Sequence, residues 1–202
     1  MSGNPFFPDP FFGWLFYLTL AGLTGWAAYV DWKTLTIPKP IVVAMLGLGV
    51  AFNLVRGIWL GVQQRPGAFF GLTGAGGGAV EGLCFALAGF AVGFGIFFLL
   101  WMLGTCGGGD VKLFAALGSW LGPLWTIYAL VGTYIIVLCG FVLVGWLLHV
   151  ARSGFKPRKQ QIAYSFPVAL TVMVILLWLC RVDLGLQRAF EDATRPVTVQ
   201  IK

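Results

Sequence analysis

Residues 113–151 read "LFAALGSWLGPLWTIYALVGTYIIVLCGFVLVGWLLHVA", and this stretch contains no Asp, Glu, Lys or Arg. A single helix of this length would measure roughly 58 Å, whereas the hydrocarbon layer of a membrane is about 30 Å thick. Proline cannot continue a helix from the preceding turn, so Gly122-Pro123 is the expected break. The stretch therefore predicts two membrane-embedded helices, over residues 110–121 and 124–150.

The composition of the whole chain also indicates a membrane protein. The 202 residues are 59% hydrophobic and only 10% charged, whereas soluble domains carry about 25% charged residues. We therefore predict an all-α polytopic membrane protein, a bundle of about six transmembrane helices in a single domain over residues 1–202, with a tail over 181–202. The other four predicted helices cover residues 11–31, 40–60, 80–103 and 162–180.

The basic residues predict the partners and the orientation. The net charge is +6, but most of the basic residues lie singly between apolar segments, which is typical of membrane anchors and not of a phosphate-binding face. We expect membrane lipid as a partner and no nucleic acid. Residues 151–161, "ARSGFKPRKQQ", hold the densest basic cluster, and the positive-inside rule places them in the cytoplasm. An even number of crossings then places residues 31–40 and the turn before Asp110 on the cytoplasmic side.

Several other polar residues have simple expected roles. Arg56 lies near the end of the second segment, where a long side chain can snorkel to the membrane surface. Glu81 is expected to be solvated in an outer loop, after the glycine-rich residues 71–80, which predict a loop or a loosely packed helix start. The cysteines form no CxxC pair, so we expect buried free thiols. They are Cys84, Cys106, Cys139 and Cys180.

Two aspartates stand apart from the other acids. Asp31 follows the uncharged residues 11–30, and Asp110 follows the glycines 107–109. Each adjoins a long apolar helix, and the predicted topology places both at one membrane face. Ionisable groups at membrane depth are costly and tend to be functional. An acid at a helix N-terminus is also favoured by the helix dipole, so a structural role for Asp110 stays open.

Paired carboxylates have a well-defined chemistry. When two lie close together they share one proton and titrate as a unit. The ionised member can take a proton from water while the protonated member polarises a scissile carbonyl. His149 is the only histidine, so neither a Ser-His-Asp arrangement nor a histidine-rich metal site is supported, and no metal or cofactor is expected. The glycines before Asp110 permit positive φ and the close approach of another backbone.

Two motifs carry a family resemblance. "DWKTLTIP" (31–38) and "GGGDVKLFAALGSWLG" (107–122) together resemble the type IV prepilin peptidases, membrane aspartyl proteases of the GxGD class. The resemblance implies removal of the leader peptide from type IV prepilins or pilin-like proteins, at the cytoplasmic face of the bacterial inner membrane. It makes Asp31 and Asp110 the catalytic pair. The supporting residues that it implies are Gly107 and Gly109 of GxGD, Lys112 of the same motif, and Pro38 at the turn into the second helix. For Lys112 a cation that snorkels to the membrane surface is an equal alternative.

The chain departs from that family pattern in three places. Lys39 follows Ile-Pro where the family often has asparagine, and Ala163-Tyr164-Ser165 stands where a Pro-Tyr-Gly-like stretch is common. Bifunctional members carry a cysteine-bearing methyltransferase domain between the first two helices. Here the connection from Asp31 to Ile41 is short and has no cysteine. We therefore predict peptidase activity without methyltransferase activity, as in the short members that serve tight-adherence pili.

Two other functions are considered. A small transporter or channel would use Asp31 and Asp110 as a proton or cation relay, but this gives no reason for the "GGGDVK" context. A presenilin-like intramembrane protease shares GxGD, yet it carries Tyr-Asp within a helix and a later Pro-Ala-Leu. Here the first acid is preceded by Val30, and "FPVAL" (166–170) only half-resembles the later motif.

Overall fold

The computed structural model describes residues 6–34, 37–67, 69–104, 106–151 and 169–174, with the backbone alone for 141–151. Its helices are α1 (Pro10–Thr34), α2 (Lys39–Val62), α3 (Gly74–Met102) and α4 (Gly108–Ala151). Residues 169–174 are also helical, and these ranges contain no strand. Four helices in the described ranges are long and apolar enough to cross a membrane. The predicted fold class, an all-α polytopic membrane protein, is confirmed.

Helix α4 is broken at Gly122, the position where the sequence predicts a break. Gly122 has φ 73° and ψ 176°, which are not helical values. The following Pro123 has no N–H, so the carbonyl of Ser119 loses its usual helical donor. Asn53 of α2 supplies the replacement, because its Nδ2 donates to the Ser119 carbonyl at 2.7 Å and to the Trp120 carbonyl at 3.2 Å. A side chain on a neighbouring helix thus satisfies the carbonyls at the break.

The chain turns back along α3 after this break. Before it, the backbone of Gly118 lies directly against that of Gly89. After it, Ile127 lines a groove together with Gly95 and Leu99, which are nearer the C-terminal end of α3. Residues 108–121 and the segment that follows Pro123 therefore run in opposite directions. Of the predicted segment 162–180, only 169–174 are described, and the predicted tail 181–202 lies outside the described residues.

Helices α2 and α3 pack with their backbones in contact. A Cβ added at Gly57 would collide with the carbonyl oxygen of Gly78, and one added at Gly82 would collide with that of Asn53. Small residues repeated every fourth position allow this close approach between membrane helices. The expectation of a loop or loosely packed helix start over residues 71–80 is therefore wrong. Helix α3 begins at Gly74, and Gly78 of the glycine-rich residues lies in direct backbone contact with Gly57 of α2.

Helix α1 packs in a different way, through large side chains. The rings of Phe16 and Trp120 have centroids 4.9 Å apart, and those of Phe16 and Phe52 lie 5.7 Å apart. A Cβ added at Gly22 or Gly25 of α1 would meet nothing within 4 Å. The bundle therefore combines a block of helices in backbone contact with one helix that rests on aromatic rings.

Arg56 does not snorkel to the surface as the sequence predicted. Only 6% of it is exposed. Its guanidinium carbon lies 4.0 Å from the ring centroid of Phe6 and 4.4 Å from that of Phe85. The two ring centroids are 5.9 Å apart, so the rings flank adjoining sides of the guanidinium and retain it inside the bundle by cation–π contact.

Glu81 is also not the solvated loop residue that the sequence predicted. It lies within α3 and is 5% exposed. Its carboxylate accepts backbone N–H groups from Phe69 (2.8 Å), Phe70 (2.6 Å) and Leu72 (3.2 Å). Because α3 starts at Gly74, Glu81 lies two turns inside the helix, where it fastens the α2–α3 loop.

The cysteines agree only in part with the expectation of buried free thiols. Cys84, Cys106 and Cys139 are free, and the first two are partly buried. Cys139 is exposed on the surface of the bundle, so its expected burial is wrong. Cys139 lies on the outward face of α4, whereas Thr133 and Ala129 lie on the buried face of the same helix. Cys180 lies outside the described residues.

Candidate active site

Asp31 belongs to the face of α1 that points into the bundle. The buried residues of this helix recur every three or four positions, a spacing that marks a single helix face. Asp31 is the last residue of this series and is 7% exposed. The apolar packing of α1 therefore carries the carboxylate inward at the end of the helix. The series comprises Phe12, Phe16, Leu20, Thr24, Ala27 and Asp31.

Asp110 sits in the first turn of α4 and closes that turn. Its Oδ2 accepts the backbone N–H of Gly107 at 3.0 Å. In return, the Gly107 carbonyl accepts the backbone N–H of Asp110 at 3.1 Å. An acid at the third helical position that reaches back to the capping residue satisfies a free amide, and it also suits the positive end of the helix dipole. The structural role left open by the sequence is therefore present.

The two motifs meet at one end of the bundle. A Cβ added at Gly109 would lie 3.7 Å from Cδ1 of Ile37, so the Ile37 side chain packs on the glycine loop. The carboxylates of Asp31 and Asp110 are near enough for their charges to interact. The C-terminal end of α1 and the N-terminal end of α4 thus assemble an acidic pair from residues 79 positions apart in the sequence.

The supporting residues take different places around this pair. Pro38 immediately precedes α2 with φ −63° and ψ 134°, so it sets the turn into that helix. Gly107 is exposed and Gly109 is partly buried. Lys112 and Lys39 are exposed, and within the described part of the chain neither makes a hydrogen bond or an ion pair. The structure gives the two lysines no contact with the acidic pair.

The glycine loop is not strained. None of the residues Gly107, Gly108 and Gly109 has a positive φ, so the loop does not use the left-handed conformation that glycine permits. A Cβ added at Gly108 would lie 3.8 Å from Nε1 of Trp101, which is an ordinary contact distance. The loop therefore lies between Trp101 and Ile37, and the expected space for another backbone stays a prediction.

Cys106 lies next to the pair and was not singled out by sequence reasoning. Its Sγ donates to the Phe97 carbonyl at 3.6 Å. Burial raises the pKa of the Cys106 thiol above its ordinary value, and the negative charge of Asp110 raises that pKa further. The thiol is therefore held protonated and is a poor nucleophile near neutral pH. The only signal in the sequence is its position four residues before Asp110.

An apolar groove runs beside the helix that carries Asp31. Its volume is about 310 Å³. The α1 side of this groove includes small residues and reaches Trp32, the neighbour of Asp31. The opposite side is formed by the helical residues 169–174. The lining residues are Gly25, Ala28, Tyr29, Trp32, Ala169, Leu170 and Met173.

Comparison with known proteins gives one match. The model of the type IV leader peptidase family matches residues 18–144. The matched region contains both Asp31 and Asp110, together with the loops that hold them. A search of curated proteins and a search of solved structures each returned no match.

Proposed function

Since the chain belongs to the type IV leader peptidase family, we propose that it is a membrane aspartyl endopeptidase that removes the leader peptide from type IV prepilins or pilin-like proteins. Membership of this family makes the chain a peptidase, and so a hydrolase. The observation that carries the finer proposal is the pairing of two carboxylates, from α1 and α4, at one end of an apolar bundle. No metal or cofactor enters the proposed reaction.

The proposed reaction uses the pair as a combined acid and base. One carboxylate takes a proton from water, and the water oxygen bonds to the scissile carbonyl carbon. The other, protonated, donates to the carbonyl oxygen as negative charge develops there. The amide nitrogen then takes a proton and leaves as an amine, while the carbonyl carbon becomes a carboxylic acid. In this second step the carboxyl group that took the proton from water gives it to the amide nitrogen as the C–N bond breaks. The other carboxylate takes back a proton from the hydroxyl group of the intermediate, so both acids return to their starting protonation states.

The hydrogen bond from Gly107 restricts how Asp110 takes part. Because Oδ2 holds the Gly107 amide, the other oxygen of Asp110 is the one that can face water or Asp31. Fixing one oxygen also fixes the plane of the carboxylate, and a fixed orientation is a large part of what an enzyme contributes to catalysis. In this proposal the helix cap is therefore the device that aims Asp110.

We place the site on the cytoplasmic side of a bacterial inner membrane. The support is the basic cluster in residues 151–161 together with an even number of predicted crossings. A substrate with a basic leader and an apolar helix would be retained on that side by its charges, while its helix enters the bilayer. This arrangement brings the junction between leader and helix to the depth of the two acids.

Replacement of each acid by its neutral isostere tests the proposal. We expect Asp31→Asn and Asp110→Asn each to lower the cleavage of a co-expressed prepilin by roughly 10²- to 10⁴-fold, the usual contribution of a general acid or base. Asparagine retains an oxygen that can accept the Gly107 amide, so the cap of α4 survives in Asp110→Asn. Leader removal is measured by the mobility shift of the prepilin.

Asp9→Asn is the matched control. Asp9 precedes α1 and accepts the Phe11 amide at the end of that helix opposite Asp31, so this variant changes an acid without touching the pair. It should cleave at the wild-type rate. Wild-type cleavage by either variant of the acidic pair would refute the proposed mechanism.

A further inference from the structure

The arginine buried in the α2–α3 hairpin points to a second binding site, at the end of the bundle opposite the acidic pair. Arg56 lies 17 residues after Lys39, the first residue of α2. At the helical rise this is about 26 Å from the end that holds the two aspartates. In a hydrocarbon layer about 30 Å thick, Arg56 therefore lies just inside the far boundary, where phospholipid headgroups begin.

This arginine has no anionic partner in the described part of the chain. Its Nε is fully buried and has no hydrogen-bond acceptor there. The two acids described at this end are both bound to backbone amides: Glu81 holds the α2–α3 loop, and Asp9 caps α1. A buried guanidinium without a counter-charge is costly, and such residues at membrane depth are usually functional.

The ring contacts of Arg56 determine what kind of ligand it can take. The ring centroids of Phe6 and Phe85 lie 4.0 and 4.4 Å from the guanidinium carbon and 5.9 Å from each other, so the rings cover two adjoining sides of the group and a ligand must approach from the remaining sides, which include its edge. The edge is a planar fork of N–H donors that fits two oxygens of a phosphate. Because the rings also fix the orientation of the fork, little side-chain entropy is lost when the ligand binds.

A second guanidinium at this end also has a buried N–H group without a hydrogen-bond acceptor among the described residues. This group is Nη1 of Arg65, which lies three residues after the end of α2. Its backbone is fixed, because its N–H donates to the Leu60 carbonyl at 3.1 Å. The far end of the α2–α3 hairpin therefore carries donors suited to an anion on two separate residues.

We propose that the edge of the Arg56 guanidinium binds the phosphate of a phospholipid headgroup, at the membrane face opposite the acidic pair. The acyl chains lie along the apolar surface of the bundle, as they do around any membrane helix. The phosphate supplies the counter-charge that the described residues do not provide. This site is independent of peptide cleavage, so it stands or falls separately from the proposed function.

Lipid binding to the purified full-length protein in detergent tests this proposal by native mass spectrometry. The probes are phosphatidylglycerol, diacylglycerol with the same acyl chains, and inorganic phosphate. We expect the wild type to bind phosphatidylglycerol and Arg56→Gln to bind it about tenfold more weakly, the effect of losing a charge-assisted hydrogen bond. Lys112→Gln, which removes a cation from the opposite end, should bind it as the wild type does.

Three results would overturn the proposal. One is equal binding of phosphatidylglycerol by the wild type and a folded Arg56→Gln variant. Another is wild-type binding of diacylglycerol as tight as that of phosphatidylglycerol, a comparison that decides the matter even where Arg56→Gln does not fold. The third is displacement of phosphatidylglycerol by equimolar inorganic phosphate, which would identify a site for the free ion and not for the lipid.

Discussion

At the scale of single residues, the observed capping role of Asp110 is compatible with the catalytic role proposed for it. It closes the first turn of α4 through the Gly107 amide, and it lies near enough to Asp31 for the two charges to interact. A capping role therefore does not argue against a catalytic one. The cap restricts the rotamer of the carboxylate, which is what a positioned acid or base requires.

The candidate pair could be found from sequence because acids are scarce in this chain and two of them end or begin apolar helices. The roles of Asn53, Glu81 and Arg56 could not be found in that way. Each depends on a partner from another helix or loop: the broken turn of α4, the amides after α2, and the rings of Phe6 and Phe85. Periodicity assigns a residue to a face of its own helix, but it carries no information on what lies opposite.

The glycines of the GxGD loop permit a test that separates folding from substrate binding. A Cβ at Gly108 or Gly109 would make only ordinary contacts, and neither residue has a positive φ. We therefore expect Gly108→Ala and Gly109→Ala to fold with wild-type stability. If a substrate backbone lies against this loop, each added methyl should slow prepilin cleavage, chiefly through a higher KM. Cleavage at the wild-type KM by both variants would mean that the substrate does not approach the loop closely.

Asn53 gives a prediction for stability. Asn53→Ala removes the donor that serves the carbonyls of Ser119 and Trp120 at the break in α4. Buried carbonyls left without a donor cost about 1–3 kcal/mol, so the free energy of unfolding should fall by about that amount. It can be measured by titrating the protein with a denaturing detergent in mixed micelles.

The control for this experiment is Thr133→Val. The Thr133 hydroxyl is buried but donates only within its own helix, to the Ala129 carbonyl, so its loss leaves no carbonyl of a broken turn exposed. The loss of stability in Thr133→Val should be much smaller. An equal loss in the two variants would show that Asn53 has no special role at the break.

At the scale of helices, features set by adjacent residues could be predicted from the sequence, whereas features set by packing between helices could not. The break at Gly122 was expected because proline lacks an N–H and excludes the preceding turn, which is a property of two adjacent residues. The start of α3 was misplaced because a glycine-rich run has a low intrinsic helix propensity. Close packing against α2 overrides that propensity, and α3 begins at Gly74 instead of near residue 80.

The packing of α3 predicts opposite outcomes for two glycines on the same helix. In Gly82→Ala the new methyl meets the Asn53 carbonyl, whereas in Gly95→Ala it meets nothing within 4 Å. We expect Gly82→Ala to lower the free energy of unfolding by about 1–3 kcal/mol, the usual cost of overpacking. Gly95→Ala should leave it unchanged or raise it, since alanine is the better helix former. Unfolding in mixed micelles measures both, and equal stabilities would contradict the backbone contact between α2 and α3.

At the scale of the whole molecule, the short connection between α1 and α2 bears on the proposed function. Helix α1 ends at Thr34 and α2 begins at Lys39. The four residues between them are too few for the methyltransferase domain that bifunctional members carry at this position. If the proposed function holds, the mature pilin should leave this enzyme with a free, unmethylated amino terminus.

Mass spectrometry of the cleaved product tests this prediction. The purified peptidase is incubated with prepilin and a methyl donor, S-adenosylmethionine, and the mass of the mature amino-terminal peptide is determined. The expected mass is that of the unmodified peptide. A methylated peptide formed by the wild type, but not by a heat-inactivated sample, would contradict the prediction.

Because α1 packs differently from the other helices, the distance between Asp31 and Asp110 can change when α1 moves. Asp110 belongs to a group of helices whose glycine backbones are in contact. Asp31 belongs to a helix that packs through aromatic rings, such as Phe16 against Trp120. A tilt of α1 therefore alters the gap between the two acids without breaking a helix. Bilayers of different thickness tilt helices to different degrees, so the separation of Asp31 and Asp110 should depend on the surrounding lipid. If the pair carries out the proposed reaction, peptidase activity should change with the acyl-chain length of the membrane.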